Sequence, residues 1–332
     1  MEDALTIAGS GTIDTLAPCE AVTVTTGARL HFGFLDPSGR GPRPFGSFGL
    51  ALDRPRTRLV LTRGSSLTVE GPERNRAEAY LARVMATSGR AGTYHLNIEE
   101  AIPPHSGLGS GTQLALAVGA AFARLEGLPL DPGAIAAAAD RGKRSGIGIG
   151  TFAQGGVVLD GGPGKDRLPP MLAQLPFPPQ WRVLLIFDAS SNGMHGASED
   201  AAFASLPEFP PSETAELRRR VVLGALPALA EDDFESFSAA IGAMQASMGA
   251  YYARAQGGAY MSPRVSTALA WLAALGLTGL GQSSWGPTGF AFIASQDEGR
   301  ALLKEARARA DLAGLDFHLA QGRNEGAKIE TR

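Results

Sequence analysis

A glycine-rich loop that runs directly into an alanine-rich helix constrains this chain more than any other feature. Residues 103–113 read Pro-Pro-His-Ser-Gly-Leu-Gly-Ser-Gly-Thr-Gln, with three glycines at alternate positions. Glycine lets the backbone approach an anion closely. The helix predicted over residues 110–124 directs unpaired N–H groups and the positive end of its dipole at the same place. The segment therefore predicts a phosphate or pyrophosphate site, and a tight loop before a packed helix is the alternative.

The composition indicates a soluble globular protein in which any anion site is built from local groups. The chain has 332 residues, enough for two domains, and its 44% hydrophobic and 19% charged residues exclude a disordered chain. A formal net charge of −3 provides no overall basic field and argues against nucleic acid as a partner. The single cysteine, Cys19, excludes an internal disulfide framework, and no apolar run has the length of a membrane span. We therefore expect a cytoplasmic protein with no membrane partner.

Hydrophobic patterns along the chain favour the α+β class with two domains. Alternating apolar residues predict short strands between residues 20 and 98, and helices are predicted over residues 76–88 and from Pro132 onward. A stretch rich in Gly and Pro, residues 161–179, indicates a linker or boundary. A buried strand over residues 181–187 is then followed by helices and strands that suit an antiparallel sheet. The expected units are a flexible extension over residues 1–18, an N-terminal domain over residues 19–170 and a C-terminal domain over residues 171–332.

Two further segments carry charged residues in patterns that suit phosphate chemistry. Residues 29–36 read Arg-Leu-His-Phe-Gly-Phe-Leu-Asp and are followed by Arg40 and Arg43. A carboxylate at the end of an apolar strand, followed by arginines, suits a metal–phosphate unit, and an ordinary ion pair in a solvated loop is the open alternative. Residues 141–148 place three cations around a glycine-rich turn. They suit an anion clamp, or a solvated helix end where cations interact favourably with the helix dipole.

A third segment, near the C-terminus, predicts a binding loop. Residues 279–289 are small, polar or turn-forming except for Leu280 and Trp285, and they precede a buried strand. Two histidines also lie in candidate loops. His105 lies within the glycine-rich loop, and His195 lies in a short Asn-Gly-Met-His-Gly segment. A structural role for either histidine is the open alternative.

These motifs resemble those of the GHMP kinase superfamily, which combines a Pro-x-x-x-Gly-Leu-Gly-Ser loop before a helix with a glycine loop near the C-terminus. Residues 29–33, 144–148 and 281–287 are more narrowly similar to the β-ribofuranosylaminobenzene 5′-phosphate synthases. The resemblance implies a two-domain GHMP-kinase-like fold, with a ribosomal-S5-like N-terminal domain and a ferredoxin-like C-terminal domain. It also implies Mg²⁺ as a cofactor and a homodimer.

The implied reaction belongs to tetrahydromethanopterin biosynthesis, a pathway of one-carbon metabolism. Phosphoribosyl pyrophosphate and 4-aminobenzoate would form a C-riboside 5′-phosphate, carbon dioxide and pyrophosphate, and 4-hydroxybenzoate stays open as the aromatic acid. Two rival functions are an ATP-dependent small-molecule kinase and a non-catalytic ligand-sensing relative. Several superfamily kinases place an acidic base in the glycine-rich segment after the first helix pair, whereas residues 145–154 of this chain contain no carboxylate.

The residues expected to perform this reaction follow from these segments. Asp36 is the candidate for holding Mg²⁺ or for polarising the amino group, and Arg43 is the candidate for the benzoate carboxylate or the 5′-phosphate. The backbone of residues 106–112 is expected to hold the leaving pyrophosphate, with Lys143 and Arg144 as cationic partners. The expected catalytic residues are Asp36, Arg43, His105 and Lys143. The expected substrate-binding residues are Arg29, His31, Ser106, Gly107, Leu108, Gly109, Ser110, Gly111, Thr112, Arg144, Ser145, His195, Gln282, Ser283 and Ser284.

Overall fold

The computed structural model describes residues 19–40, 43–165, 167–194 and 196–332. The extension expected over residues 1–18 and the candidate residue His195 lie outside the described residues. None of the helices in the described ranges is both long enough and apolar enough to cross a bilayer.

Strands and helices alternate along the chain in the mixed order that the sequence patterns predict. The strands are β1 (Ala21–Asp36), β2 (Phe45–Arg63), β3 (Thr68–Glu70), β4 (Tyr94–Glu100), β5 (Val157–Asp160), β6 (Met171–Leu175), β7 (Arg182–Asp188), β8 (Leu280–Gln282), β9 (Gly289–Ile293), β10 (Leu315–Ala320) and β11 (Lys328–Thr331). The helices are α1 (Arg74–Ser88), α2 (Ser110–Leu125), α3 (Pro132–Ala138), α4 (Ile147–Ala153), α5 (Ala197–Ser205), α6 (Pro211–Arg220), α7 (Leu226–Ala230), α8 (Phe234–Gln256), α9 (Pro263–Ala274) and α10 (Gln296–Ala308). A π-helical segment (Val221–Ala225) joins α6 to α7, and a 3₁₀ turn (Ala310–Leu312) follows α10.

The strands form two separate sheets, which confirms the α+β class. The first sheet has seven strands in the order β11-β1-β2-β4-β3, with β5 paired to β2 and β6 paired to β5. The second sheet has four antiparallel strands in the order β10-β7-β9-β8. Helix α2 is buried along most of its length against β1 and β2, because its small alanine and glycine side chains permit close packing on the sheet.

Two strands that follow residue 170 belong to the first sheet. Strand β6 lies inside the Gly/Pro-rich stretch and pairs with β5, and β11 returns from the second half of the chain to pair with β1. Strand β6 alternates half-buried and exposed side chains and has a partner on one side, which is typical of an edge strand. The chain thus passes between the two sheets more than once, and the division at residue 170 stays a prediction.

Aromatic side chains from both sheets share one core. Phe32 of β1 packs against Phe48 of β2 with ring centroids 5.3 Å apart, and against Phe292 of β9 at 5.6 Å. Phe177 and Phe237 complete the cluster around Phe292, at 5.8 Å and 5.1 Å. Three of these four contacts are edge-to-face, a geometry that stabilises beyond the area that it buries. This core holds the loops of one sheet in a constant position relative to the loops of the other.

Replacing Phe292 by alanine should destabilise the whole protein, because the ring is buried among aromatic side chains of both sheets. We expect the free energy of unfolding to fall by about 3–5 kcal/mol, measured by chemical denaturation. Leu172→Ala is the matched control, since the Leu172 side chain is 61% exposed and its loss should change little. A Phe292→Ala protein as stable as the Leu172 variant would contradict a core shared by the two sheets.

Candidate active site

The glycine-rich loop runs into the first turn of helix α2, and no side chain caps the backbone N–H groups of this turn. Helix α2 begins at Ser110, and its N-cap residue Gly109 has a φ of 78° and no side chain that caps the helix. Gly107 also has a positive φ, 79°, and His105 has a φ of 55°. The first turn therefore presents N–H groups that have no acceptor within the helix, at the positive end of its dipole. This geometry is the one that the sequence predicts for an anion site.

Arg29 of β1 lies against this turn. Its guanidinium donates a hydrogen bond to the Gly107 carbonyl oxygen at 2.6 Å. A Cβ at Gly109 would lie 2.8 Å from Arg29 Cγ, so only glycine allows the arginine to lie this close. Burial lowers the pKa of Arg29 to about 10, while the charge of Glu199 raises it. Arg29 therefore keeps its positive charge at neutral pH beside the helix N-terminus.

Two more arginines reach the first turn of α2. A Cβ at Gly111 would lie 2.5 Å from Arg76 Nη2 and 3.4 Å from Arg141 Nη2. Arg76 is oriented by Glu73, at 2.7 Å, and Arg141 donates to the hydroxyl of Tyr80 at 2.5 Å. The Nε of Arg141 is buried and has no hydrogen-bond partner within the described ranges. These guanidinium groups place positive charge beside the first turn of α2, where charge-assisted hydrogen bonds to an anion can form.

The cations that the sequence favoured occupy different positions. Lys143 is exposed and forms an ion pair with Asp140 at 2.7 Å. Arg144 lies 3.1 Å from Glu199, pairs with Asp200 as well, and stacks on Phe203 at 4.6 Å from the ring centroid. Lys143 therefore belongs to a solvated helix end, whereas Arg144 joins α5 to the site.

Ser145 belongs to a hydrogen-bond network centred on Asp160, which the sequence analysis did not single out. The buried carboxylate of Asp160 accepts from the Ser47 hydroxyl and from the N–H groups of Gly146 and Gly162, both at 2.8 Å. The Ser145 hydroxyl lies 2.6 Å from Ser47 Oγ. Burial raises the pKa of Asp160, and these hydrogen bonds oppose that effect. Asp160 positions the turn that precedes α4, and through it the residues beside Thr112.

Asp36 and Arg43 do not join this group. The buried Asp36 carboxylate accepts from the Ser38 hydroxyl at 2.7 Å and lies 3.9 Å from Arg218. Arg43 donates to the carbonyl oxygens of Gly161 and Gly162. Asp36 lies seven positions after Arg29 on β1. At the rise of a β-strand, this separation places the two Cα atoms about 20 Å apart. No group of three metal-ligating side chains occurs among the described residues. The role of Asp36 in holding Mg²⁺ stays a prediction, and its surroundings do not favour it.

The predicted binding loop packs directly on the glycine-rich loop. The Ser283 hydroxyl donates to the Gly107 carbonyl oxygen at 2.8 Å and accepts from the backbone N–H of His31 at 3.0 Å. The Ser284 N–H donates to the His31 carbonyl oxygen at 3.3 Å. A Cβ at either Gly107 or Gly286 would overlap the other loop. The structure thus brings together residues 29–33, 103–113 and 281–287, which the sequence analysis selected separately.

The remaining predicted residues support these loops from within. The Ser106 hydroxyl donates to the Pro103 carbonyl oxygen, and the carbonyl oxygen of buried Leu108 accepts from the N–H of Arg29. The Gln282 side chain accepts from the N–H of Met261 and donates to the carbonyl oxygen of Ser284. These side chains therefore fix the conformation of the loops by bonding to backbone groups. The first turn of α2 remains the candidate for contact with an anion.

A narrow recess lies between β1, α8 and the binding loop. His31, Phe34, Tyr252 and Trp285 are among its lining residues, together with other residues of β1, α8 and the binding loop, and its free volume is about 30 Å³. Both ring nitrogens of His31, the Tyr252 hydroxyl and Trp285 Nε1 are buried and have no hydrogen-bond partner among the described residues. Burial, and then the charge of Arg29, lower the pKa of His31 well below 6.5. The recess is thus lined by neutral polar groups and aromatic rings.

A large cavity of about 830 Å³ lies on the other side of the glycine-rich loop. Residues 103–106 of the loop, the end of β7 and strand β10 line it. Thr288 also lies on its wall, with a buried hydroxyl that has no partner among the described residues. His105 faces this cavity, and its carbonyl oxygen accepts from the N–H of Gly193. The glycine-rich loop therefore separates a cavity of substrate size from the small recess.

Two families of known domains match the chain. The GHMP kinases N-terminal domain matches residues 75–156, and the GHMP kinases C-terminal domain matches residues 225–311. The fold and the site thus define a member of the GHMP kinase superfamily, and helix α2 with its glycine-rich loop lies inside the first match. The predicted fold class is confirmed.

Within that superfamily, the chain belongs to the family of the β-ribofuranosylphenol 5′-phosphate synthases. A synthase of this name from Archaeoglobus fulgidus is 33% identical over 235 residues, which cover 66% of this chain and 74% of that protein. Another, from Methanothermobacter thermautotrophicus, is 26% identical over 328 residues, covering 92% of this chain and 97% of that protein. The resemblance to these C-riboside-forming synthases is confirmed, and the protein is an enzyme of this class.

Solved structures of other superfamily members share the fold. A homoserine kinase from Cytophaga hutchinsonii covers 98% of this chain and all of its own, with a TM-score of 0.66 at 18% identity. A mevalonate diphosphate decarboxylase from Staphylococcus aureus covers 94% of this chain and 98% of its own, with a TM-score of 0.65 at 12% identity. At these identities the similarity shows the fold alone.

Alanine at position 107 should displace the two loops from each other. Gly127→Ala is the matched control, because Gly127 also has a positive φ but open space around it, and should cost about 1–2 kcal/mol of backbone strain. Gly107→Ala adds overlap with Ser283 and should cost a further ~1–3 kcal/mol in chemical denaturation. Equal losses in the two variants would show that the loops do not pack as described.

The neutral state of His31 should make stability depend on pH. Because the folded-state pKa lies below 6.5, the unfolded chain takes up the proton first as the pH falls, and stability present above about pH 6.5 is lost below it. The free energy of unfolding should therefore drop more in the natural protein than in His31→Gln between about pH 7.5 and about pH 5. Parallel pH curves for the two proteins would mean that His31 titrates as an exposed histidine does.

Proposed function

We propose that the enzyme transfers the 5-phosphoribosyl group of phosphoribosyl pyrophosphate to a ring carbon of 4-aminobenzoate or 4-hydroxybenzoate. Pyrophosphate and carbon dioxide leave, and the C-riboside 5′-phosphate enters tetrahydromethanopterin biosynthesis. The observation that carries this proposal is the uncapped N-terminus of α2, surrounded by Arg29, Arg76 and Arg141. The membership of the relatives among the β-ribofuranosylphenol 5′-phosphate synthases supports a product of this kind.

The donor half of the reaction needs stabilisation of a departing pyrophosphate. As the bond to the anomeric carbon breaks, negative charge accumulates on the leaving oxygens and positive charge on the ribose ring. Donors fixed in place before the reaction stabilise such charge without reorganising. The N–H groups of Ser110, Gly111 and Thr112 and the three guanidinium groups fit this task.

Mg²⁺ would neutralise part of the pyrophosphate charge when it is bound. Such an ion keeps several waters and needs one or two protein carboxylates besides the phosphate oxygens. Glu199 fits better than Asp36, because its charge acts on Arg29 beside the glycine-rich loop. Glu199 is therefore the candidate ligand.

The acceptor half of the reaction needs no base to remove a proton from a ring carbon. The attacking carbon is the one that bears the carboxylate, activated by the para amino or hydroxyl group. Loss of carbon dioxide leaves its bonding electrons in the ring and restores aromaticity, so no ring proton has to be removed. This demand agrees with the absence of a carboxylate from residues 145–154.

The rival functions differ in their demands on the site. The fold similarity to a homoserine kinase is the observation that favours an ATP-dependent kinase, but a kinase of this kind commonly uses an acidic base that this segment lacks. A ligand sensor needs no cluster of cations at a leaving-group position. The cytoplasmic location and the homodimer stay predictions.

Incubation with phosphoribosyl pyrophosphate and each aromatic acid should release pyrophosphate and carbon dioxide in equal amounts. Both products can be followed in one reaction, by a coupled pyrophosphate assay and by trapping the gas. Formation of ADP from ATP and an alcohol, with no pyrophosphate release from the ribosyl donor, would replace this function by the kinase.

Loss of the Arg141 guanidinium should weaken donor binding. We expect Arg141→Gln to raise the KM for phosphoribosyl pyrophosphate at least about tenfold, because one charge-assisted contact is lost. Arg90→Gln is the matched control, since Arg90 is exposed beyond the end of α1. An unchanged KM in Arg141→Gln, with native stability, would place the donor elsewhere.

A further inference from the structure

Three buried side chains from different elements line the recess, and their polar atoms have no hydrogen-bond partner within the described ranges. His31 comes from β1, Tyr252 from α8 and Trp285 from the binding loop, and they are 2%, 9% and 3% exposed. The rings of Tyr252 and Trp285 lie 4.3 Å apart. Each buried polar group without a hydrogen bond costs about 1–3 kcal/mol. Three such residues around one recess indicate a site that is completed by a polar ligand group.

The chemistry of these atoms restricts the ligand group to a neutral one that both donates and accepts. Trp285 Nε1 is a donor only, whereas the Tyr252 hydroxyl and the neutral imidazole of His31 each offer a donor and an acceptor. Burial raises the pKa of Tyr252 well above 10, so that side chain stays neutral as well. A hydroxyl group fits this set, since it can accept from Trp285 or Tyr252 and donate to a nitrogen of His31.

The size and position of the recess show how much of a ligand it holds. Its volume of about 30 Å³ equals the volume that one molecule occupies in liquid water. The recess therefore admits a single polar substituent and not an aromatic ring. His31 and Arg29 stand two residues apart on the same face of β1, about 7 Å along the strand. The recess therefore lies close to Arg29, which donates to the Gly107 carbonyl oxygen of the glycine-rich loop.

We propose that this recess binds the para hydroxyl group of the aromatic acceptor and that His31 takes its proton while the opposite ring carbon attacks the ribose. The proposal rests on the proposed function and deepens it. It makes His31 a catalytic residue, a different role from the substrate-binding one that the sequence suggests. It also moves the activation of the para group from Asp36 to His31.

The proton and electron transfers balance without an additional reactant. The O–H bond breaks and its proton moves to the open nitrogen of His31, while the oxygen electrons pass through the ring into the new carbon–carbon bond. The bond from the anomeric carbon to pyrophosphate breaks and its electron pair leaves with pyrophosphate. The bond to the carboxylate then breaks, carbon dioxide leaves, and the ring oxygen recovers the proton from His31. Burial, and then the charge of Arg29, oppose protonation of His31 in the free enzyme. The negative charges of the bound substrates would offset the charge of Arg29, and the phenolate oxygen left by the transfer would stabilise the imidazolium beside it.

An amino group needs this base less, since a nitrogen lone pair can supply electrons without losing a proton. The two aromatic acids therefore separate a catalytic role of His31 from a structural one. We expect His31→Gln to lower kcat with 4-hydroxybenzoate at least about a hundredfold, the usual contribution of a general base, and with 4-aminobenzoate less than about tenfold. His95→Gln, at a half-exposed position on β4, should leave both rates unchanged.

Binding without turnover provides a second and independent readout. In calorimetry with the full-length protein and no ribosyl donor, 4-hydroxybenzoate should bind at least about tenfold more tightly than benzoate, and Tyr252→Phe should abolish that difference. Tyr252→Phe removes one oxygen and keeps the ring, so it tests the recess even where His31→Gln fails to fold.

Three results bear on the proposal in different ways. Equal loss of kcat with both acids in His31→Gln, or a Tyr252→Phe protein that still prefers 4-hydroxybenzoate, would overturn it and leave the recess to an ordered water molecule. If the natural protein releases no pyrophosphate with either acid, the proposed function fails. The calorimetric preference then still decides whether the recess binds a phenol.

Discussion

The hydrogen bonds to the Gly107 carbonyl oxygen are the interactions on which the rest of the site depends. Arg29 and Ser283, far apart in sequence, both donate to this one oxygen. Their approach requires glycine at 107 and at 286, because a Cβ at either position would occupy the space of the opposite loop. This contact holds the glycine-rich loop, which packs on β1 of the first sheet, against the binding loop between β8 and β9 of the second sheet. The first turn of α2 and the recess beside His31 are therefore kept in a fixed relation.

The aromatic core explains why such a contact can persist between two sheets. Phe32 immediately follows His31 on β1 and packs with Phe290 and Phe292 of the second sheet. Strand β1 therefore contributes neighbouring residues to the shared core and to the recess. The buried polar atoms of the recess that have no partner among the described residues oppose stability, and the surrounding apolar packing offsets that cost.

Local patterns in the sequence were sufficient to predict the glycine-rich loop, helix α2 and the three segments that meet around Gly107. Each of these depends on neighbours in the chain, such as glycine at alternate positions before a helical run. Arg76 and Tyr252 were not predicted, because their place at the site follows from the packing of α1 and α8 and no local motif marks it. The sequence does not distinguish Lys143 from Arg141 and Arg144, because all three cations lie in one short run. In the structure the Lys143 side chain is exposed and forms an ion pair with Asp140. Asp160 was not predicted either, because the Ser47 and Gly146 donors that it binds are brought to it by the fold and are distant in sequence.

The proposed reaction uses the open first turn of α2 to hold an anion and the recess beside His31 to hold the para group of the aromatic ring. The central step of this reaction is the replacement of the carboxylate of the aromatic acid by a carbon–carbon bond. The most direct measurement follows a carboxyl-labelled acid by ¹³C NMR during reaction with phosphoribosyl pyrophosphate. We predict that all of the label that reacts appears as carbon dioxide and bicarbonate. Label retained in a ribosylated product would show an O-, N- or ester-linked riboside and would contradict the account.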